Sequence, residues 1–165
     1  MSKVALVIGY GSIGKKHAKI LKSLKDVDEV VVLTSQKRKI PYRKIRSLNE
    51  IKKINPFYIT IASPTIKHYE QLRFLEKNFS KKKILVEKPL FDKIFNLKIK
   101  RNEVYIGYNL RFNPLIIFLK KILKKIDVIF VSVYCGYHLP YWRKNIPYTK
   151  SYSASTIKGG GVILD

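Results

Sequence analysis

The segment Gly9-Tyr10-Gly11-Ser12-Ile13-Gly14 carries glycines at the spacing with which a main chain can take hold of a diphosphate. It follows the apolar run Val4-Ala5-Leu6-Val7-Ile8 and leads into a helical pattern from Lys15 to Lys25. In that setting Gly9 permits a sharp turn, Gly11 lets the backbone come up against phosphates, and Gly14 lets helix and strand pack closely. The free N–H groups and positive dipole end of the helix then face the anion, and Ser12 and Ile13, within the glycine turn, are expected at the cofactor. The bare spacing also fits a plain strand-to-helix turn. Its place after the first strand of the chain argues for a dinucleotide cradle.

A second chemical signal lies where the next strand ends, at Leu33-Thr34-Ser35-Gln36-Lys37-Arg38. An acidic residue there would hold the adenosine ribose hydroxyls of NAD, and none is present. The small hydroxyls Thr34 and Ser35 followed by Lys37 and Arg38 suit a 2′-phosphate, so the segment leans to NADP over NAD. The same run also reads as one more lysine-rich loop.

The elements that must position these groups alternate from the N-terminus as strand and helix, which predicts parallel βαβ units. After the first strand and helix, Glu29 to Thr34 reads as a strand. Ser47 to Lys53 reads as a short helix with a capping box from Ser47 to Glu50. Phe57 to Ala62 is a third strand. Ser63 then caps a helix through about Lys77, with Pro64 in its first position, where a missing N–H is harmless. Lys83 to Val86 and Val104 to Tyr108 are further strands. Only Phe91 to Glu103 separates Leu90 from Val104, which is short for a helical crossover. Pro114 to Ile126 is strongly amphipathic, with Leu115, Leu119, Ile122 and Ile126 opposite Lys120, Lys121, Lys124 and Lys125. It reads as a surface helix packed on its own sheet, or as a basic helix on a membrane surface. Asp127 to Gly136 reads as one long strand, followed by an aromatic-rich stretch to Ser155 and the glycines 159–161 before Val162-Ile163-Leu164-Asp165.

Composition bounds these readings. At 165 residues and 46% apolar content the chain can bury a real core. The formal charge of +23 comes from 27 lysines and 7 arginines. It implies salt-sensitive stickiness to polyanions, but the scarcity of arginine and the 22 isoleucines beside those lysines fit a compositional bias better than specific nucleic-acid recognition. Cys135 is the single cysteine, which excludes an intrachain disulfide, suits a reducing cytoplasm and reads as a small buried hydrophobe. No apolar segment approaches the ~18 residues needed to insert across a membrane.

Four motifs in order produce a family resemblance. Gly9 to Gly14 with His17, Ala62-Ser63-Pro64-Thr65 with His68, Glu87-Lys88-Pro89-Leu90, and Gly107-Tyr108-Asn109-Leu110-Arg111-Phe112-Asn113-Pro114 together resemble the Gfo/Idh/MocA family of NAD(P)-dependent oxidoreductases. The resemblance implies a doubly wound parallel, Rossmann-like α/β sheet at 1–113 and the beginning of a second, substrate or oligomerisation α/β domain at 114–165. It implies hydride transfer between a nicotinamide cofactor and a sugar or nucleotide-sugar hydroxyl or carbonyl. By the same resemblance Lys88 is the active-site lysine that hydrogen-bonds the reacting oxygen, Glu87 borders the cofactor, and Ser63 and Pro64 form the wall beside the nicotinamide ribose. Asp165 matches the aspartate that precedes a catalytic histidine by one helical turn, and the sequence ends before that histidine. Asn109 and Arg111 stand at a strand end facing substrate. His138, in the aromatic stretch, faces either substrate or solvent. His17 and His68 are expected to be structural or near the cofactor, and no metal site is expected.

The chain thus reads as an incomplete oxidoreductase of the cytoplasm, taking a sugar-type small molecule and assembling with a second copy or a complementing chain. A non-catalytic nucleotide-binding fragment, or half of a split enzyme, is the alternative. A basic protein for nucleic acid or membrane surfaces is the third reading.

Overall fold

A computed structural model describes residues 2–142, 147–150, 154, 155, 157, 160 and 161. Among them, six strands form one all-parallel sheet: β1 (Val4–Ile8), β2 (Glu29–Leu33), β3 (Arg43–Ile45), β4 (Tyr58–Ile61), β5 (Lys83–Val86) and β6 (Glu103–Ile106). Their spatial order is β3-β2-β1-β4-β5-β6, so the chain winds outward in one direction from β1, then returns to wind in the other. The helices are α1 (Ser12–Ser23), α2 (Ile51–Ile54), α3 (His68–Asn78), α4 (Pro114–Leu123) and α5 (Leu139–Trp142). This is the doubly wound α/β architecture expected from the alternating pattern.

The apolar run of β1 is explained by its central place. A parallel strand covered on both faces needs no polar alternation, and every residue of β1 is buried. Side chains still point alternately to the two faces. Ala5 and Val7 meet Ala18, Leu21, Val30 and Val32 on the α1 side. Leu6 and Ile8 join Ile51, Ile59, Ile61, Leu72, Leu75 and Ile84 on the α2 and α3 side.

Several boundaries move. The Ser47–Glu50 capping box forms as expected, but it opens a 3-10 turn, Leu48–Glu50, that runs into α2. Ser63 does not cap the following helix. A 3-10 turn at Thr65–Lys67 precedes α3, Pro64 takes the capping position, and the Ser63 hydroxyl donates instead to Gln71 Oε1 at 2.6 Å. The sixth strand ends at Ile106 rather than Tyr108, and α4 ends at Leu123 rather than Ile126.

No helix crosses from β5 to β6. An extended strap does that work, with Leu90, Phe91, Leu97 and Ile99 packed on the core and Phe95 stacked on Tyr69 at 3.9 Å between ring centroids. Glu76 of α3 fastens its far end by accepting from the Lys100 and Arg101 main-chain N–H groups at 2.8 and 2.7 Å and from Asn102 Nδ2 at 2.7 Å. Burial alone would raise the Glu76 pKa, but these donors outweigh it and hold the carboxyl below its ordinary value.

Beyond β6 three expectations fail. The expected strand Asp127–Gly136 does not form: this segment has no regular structure, and Ile129 and Tyr134 are 99% and 96% exposed. Among the described residues its β-branched content has no neighbouring strand to pair with, and a strand with neither ladder nor covered face is not stable. The amphipathic helix α4 forms, but none of its residues is buried, so it does not pack on the sheet. Cys135 is exposed rather than buried for the same reason.

Candidate dinucleotide crevice

The strand ends carry the site. Each ladder continues one step past its strand, through Gly9 N–H to Leu33 O at 2.9 Å, Ala62 N–H to Ile8 O at 2.7 Å, Glu87 N–H to Ile61 O at 2.9 Å and Gly107 N–H to Val86 O at 2.8 Å. Gly9, Ala62, Glu87 and Gly107 therefore stand in a row along the carboxyl edge, where open parallel sheets bind ligands. A crevice of about 870 Å³ opens there between the Gly9–Gly14 turn and the ends of β2, β4 and β5.

The three glycines of the turn do different work. Gly9 has φ of +95°, a region L-residues rarely adopt, and a Cβ on it would stand 2.6 Å from Ala62 O and Ser63 N. A Cβ on Gly14 would land on the Gly9 carbonyl oxygen. Gly11 differs: φ is −74°, and a Cβ there would meet nothing within 4 Å. The fold has no need of glycine at Gly11, and the space above it is open to a ligand.

Helix α1 starts at this turn with Gly11 as its N-cap, no side-chain cap and no acidic residue in its first turn. The first-turn N–H groups and the dipole of a 12-residue helix are thus free to meet an anion. Uncapped donors, space above Gly11 and glycine at both tight positions fit a dinucleotide diphosphate.

At the β2 end Thr34 and Ser35 line the crevice, joined by Gln36 and Arg46. The Arg46 guanidinium donates to Thr34 O at 3.1 Å and Gln36 O at 2.9 Å, bracing this wall. Gln36 Nε2 donates to Tyr10 O at 2.9 Å, while its Oε1 is buried with no partner among the described residues. That orphaned acceptor suits a donor brought by a ligand. No carboxylate of this segment faces the crevice. Lys37, expected at the cofactor, is exposed and outside it.

At the β4 and β5 ends Ser63, Pro64, Glu87 and Lys88 line the same space. Glu87 Oε1 meets His17 Nε2 of α1 at 2.6 Å, both side chains being largely buried. The carboxylate beside Lys88 is thereby tied to the glycine-turn helix. The Lys88–Pro89 peptide is cis.

The structure gathers Gly9, Gly11, Ser12, Ile13, Thr34, Ser35, Ser63, Pro64, Glu87 and Lys88 around one crevice, with Gly14 buried beneath it. Asn109 and Arg111 are exposed in a 3-10 turn after β6 and His138 lies beyond α4; none of the three lines the crevice. Asp165 lies outside the described residues. Arg46, Gln36, Gln71 and Lys16 line the crevice without having been singled out by sequence. Arg46 follows the three-residue strand β3, which carries no periodic signal. Among the described residues no three His, Cys, Asp or Glu side chains converge on a metal site, and no helix is long and apolar enough to cross a membrane.

A family profile described as an oxidoreductase family with an NAD-binding Rossmann fold, GFO_IDH_MocA, matches residues 3–99. Solved structures share the fold. An NAD-binding protein from Listeria innocua superposes with a TM-score of 0.58 at 18% identity, over 76% of this chain and 41% of that one. The WlbA dehydrogenase from Bordetella pertussis, in complex with NADH and UDP-GlcNAcA, gives 0.58 at 16% identity over 76% and 42%. The scyllo-inositol dehydrogenase from Lactobacillus casei, with NAD(H) and scyllo-inositol bound, gives 0.58 at 16% over 76% and 42%. The chain therefore spans about two fifths of the length of these structures. No curated protein matches it in sequence.

Proposed function

The chain belongs to the Gfo/Idh/MocA oxidoreductase family, whose NAD-binding Rossmann domain it carries over residues 3–99, and on that premise we propose that it binds NADP(H) or NAD(H) and serves hydride transfer at a sugar-type hydroxyl or carbonyl. The observation that carries this reading is the open space over Gly11 beside the uncapped start of α1, in the same crevice as Lys88. The cofactor supplies the hydride chemistry, and the chain supplies position and charge.

Each residue then has a task. The N–H groups of the first turn of α1, at Ser12 and Ile13, hold the diphosphate, and Thr34 and Ser35 hold the adenosine ribose. Ser63 and Pro64 flank the nicotinamide ribose. Lys88 donates a hydrogen bond to the reacting oxygen and stabilises the negative charge that grows there. Glu87, held by His17, borders the same end. Asn109, Arg111 and His138 belong to the substrate side of the proposal, and Asp165 to its proton relay, on family resemblance. The ligands named for the relatives, UDP-GlcNAcA and scyllo-inositol, support a polyhydroxylated ring as substrate. The absence of a carboxylate at the end of β2, with Arg46 lining the wall and Lys37 and Arg38 nearby, favours a 2′-phosphate and hence NADP.

Titration of the chain with NADPH and NADH, followed by nicotinamide fluorescence, tests this. Saturable binding of both with NADPH the tighter is expected. No saturation by either at millimolar cofactor overturns the proposal.

A second reading, a nucleotide-binding chain that works only with a complementing chain or a second copy, is favoured by the exposed apolar face of α4, where Leu115 and Phe118 are 76% and 62% exposed. Cofactor binding without turnover by the chain alone would support it.

A further inference from the structure

His68, the first residue of α3, is 1% exposed and lies outside the crevice lining. Both ring nitrogens meet main-chain carbonyl oxygens. Nε2 stands 2.8 Å from Ser63 O. Nδ1 stands 3.1 Å from Pro89 O and 3.2 Å from Leu90 O. A carbonyl oxygen only accepts, so each contact is a hydrogen bond when the facing nitrogen carries its hydrogen; the doubly protonated ring makes both, and either neutral tautomer makes one.

The three carbonyl groups belong to two segments that reach the crevice from different strands. Ser63 follows β4, whereas Pro89 and Leu90 follow β5 directly after Lys88. The start of α3 grips the first wall a second time through Gln71, one turn along, whose Oε1 accepts from the Ser63 hydroxyl. One buried ring thus stands between the segment proposed to flank the nicotinamide ribose and the segment that carries Lys88.

We propose that His68 is a positioning residue: wedged between Ser63 O and the Pro89 and Leu90 carbonyls, and donating from Nδ1 to the latter, it sets where the Lys88 ammonium stands in the crevice. The inference rests on the reading of Lys88 given above. His68 itself touches neither cofactor nor substrate. Its polar contacts lie at the nicotinamide end, with carbonyls of the Ser63 and Pro89–Leu90 segments, so its effect is expected to be greatest there.

The test uses the full chain and three variants. His68→Asn keeps an amide donor near the place of Nδ1, His68→Gln keeps one near the place of Nε2, and His68→Leu keeps neither. Binding of 5′-AMP reports the adenosine end, and the affinity and fluorescence enhancement of NADPH and NADH report the nicotinamide end. In His68→Leu, 5′-AMP affinity is expected within about twofold of the parent chain, while dinucleotide affinity falls about tenfold and the fluorescence enhancement is lost, a tenfold change being about 1.4 kcal/mol. His68→Asn is expected to restore most of both and His68→Gln little, and this pair decides the matter even if His68→Leu fails to fold. Equal losses of 5′-AMP and dinucleotide binding would mean a structural role only and overturn the proposal. So would unchanged dinucleotide binding in His68→Leu, or rescue by His68→Gln and not His68→Asn. If the parent chain binds 5′-AMP but no dinucleotide, the functional reading falls first and this inference with it.

Discussion

Replacing Gly11 by alanine separates what the fold needs from what a ligand needs. The residue has φ of −74° and ψ of −163°, extended backbone that any L-residue adopts, and the added methyl meets no atom within 4 Å. The added methyl meets no clash, and the unfolded chain loses conformational freedom worth about 0.4–1 kcal/mol, but Gly11 is the N-cap of α1, where alanine is less favourable than glycine by a similar amount. The two effects offset, so the melting temperature should stay within about 2–4 °C of the parent. The same methyl points into the crevice at the place where the diphosphate must approach the main chain, so the phosphates have to stand off the N–H groups of α1. Loss of even one charge-assisted hydrogen bond, about 1.5–3 kcal/mol, weakens dinucleotide affinity by roughly tenfold or more. Thermal unfolding followed by circular dichroism and titration with NADPH measure the two effects on one sample. Unchanged affinity, or a clear fall in melting temperature, would refute the reasoning.

Gly14→Ala is the counterpart: its Cβ lands on the Gly9 carbonyl oxygen, so urea unfolding should show a loss of about 1–3 kcal/mol from forced repacking before any ligand is added. Glu76→Gln removes the charge that fastens the strap before β6, and chemical denaturation should report a loss of about 1–3 kcal/mol. Because the folded carboxyl of Glu76 lies below its ordinary value of 4.5, its contribution is complete above that pH and fades as the pH falls through the folded value, so the parent and Glu76→Gln should converge in stability in acid and diverge toward neutrality. Phe118→Glu on α4 should change stability by no more than about 0.5 kcal/mol, since no residue of that helix is buried; a larger loss in thermal unfolding would mean that α4 is covered by something.

The parts of the fold that the sequence announces are those whose cause is local. The β1 run, the glycine spacing after it and the Ser47–Glu50 box each carry their reason within a few residues, and all three form. β3 has no such signal: Arg43-Lys44-Ile45 is a strand only because Val31 to Leu33 of β2 offers it a ladder. The reverse error occurs at Asp127–Gly136, where Val128, Ile129, Val131 and Val133 express a preference for a pleated, half-buried surface that no neighbour provides. In the site, the glycine turn and Lys88 are legible because motif and strand end coincide. The His17–Glu87 contact spans 70 residues, and Arg46 reaches the crevice through β3, so neither could be read from a local pattern. The Ser63 hydroxyl looked like a helix cap and is engaged by Gln71 instead.

A crystal structure of the chain grown with NADP⁺ tests the central claim most directly. The diphosphate is expected over Gly11 against the main-chain N–H groups of Ser12 and Ile13, with the nicotinamide ring at the Ser63 and Lys88 end of the crevice. A dinucleotide bound elsewhere, or one lying in the crevice with its diphosphate away from the glycine turn, would contradict it.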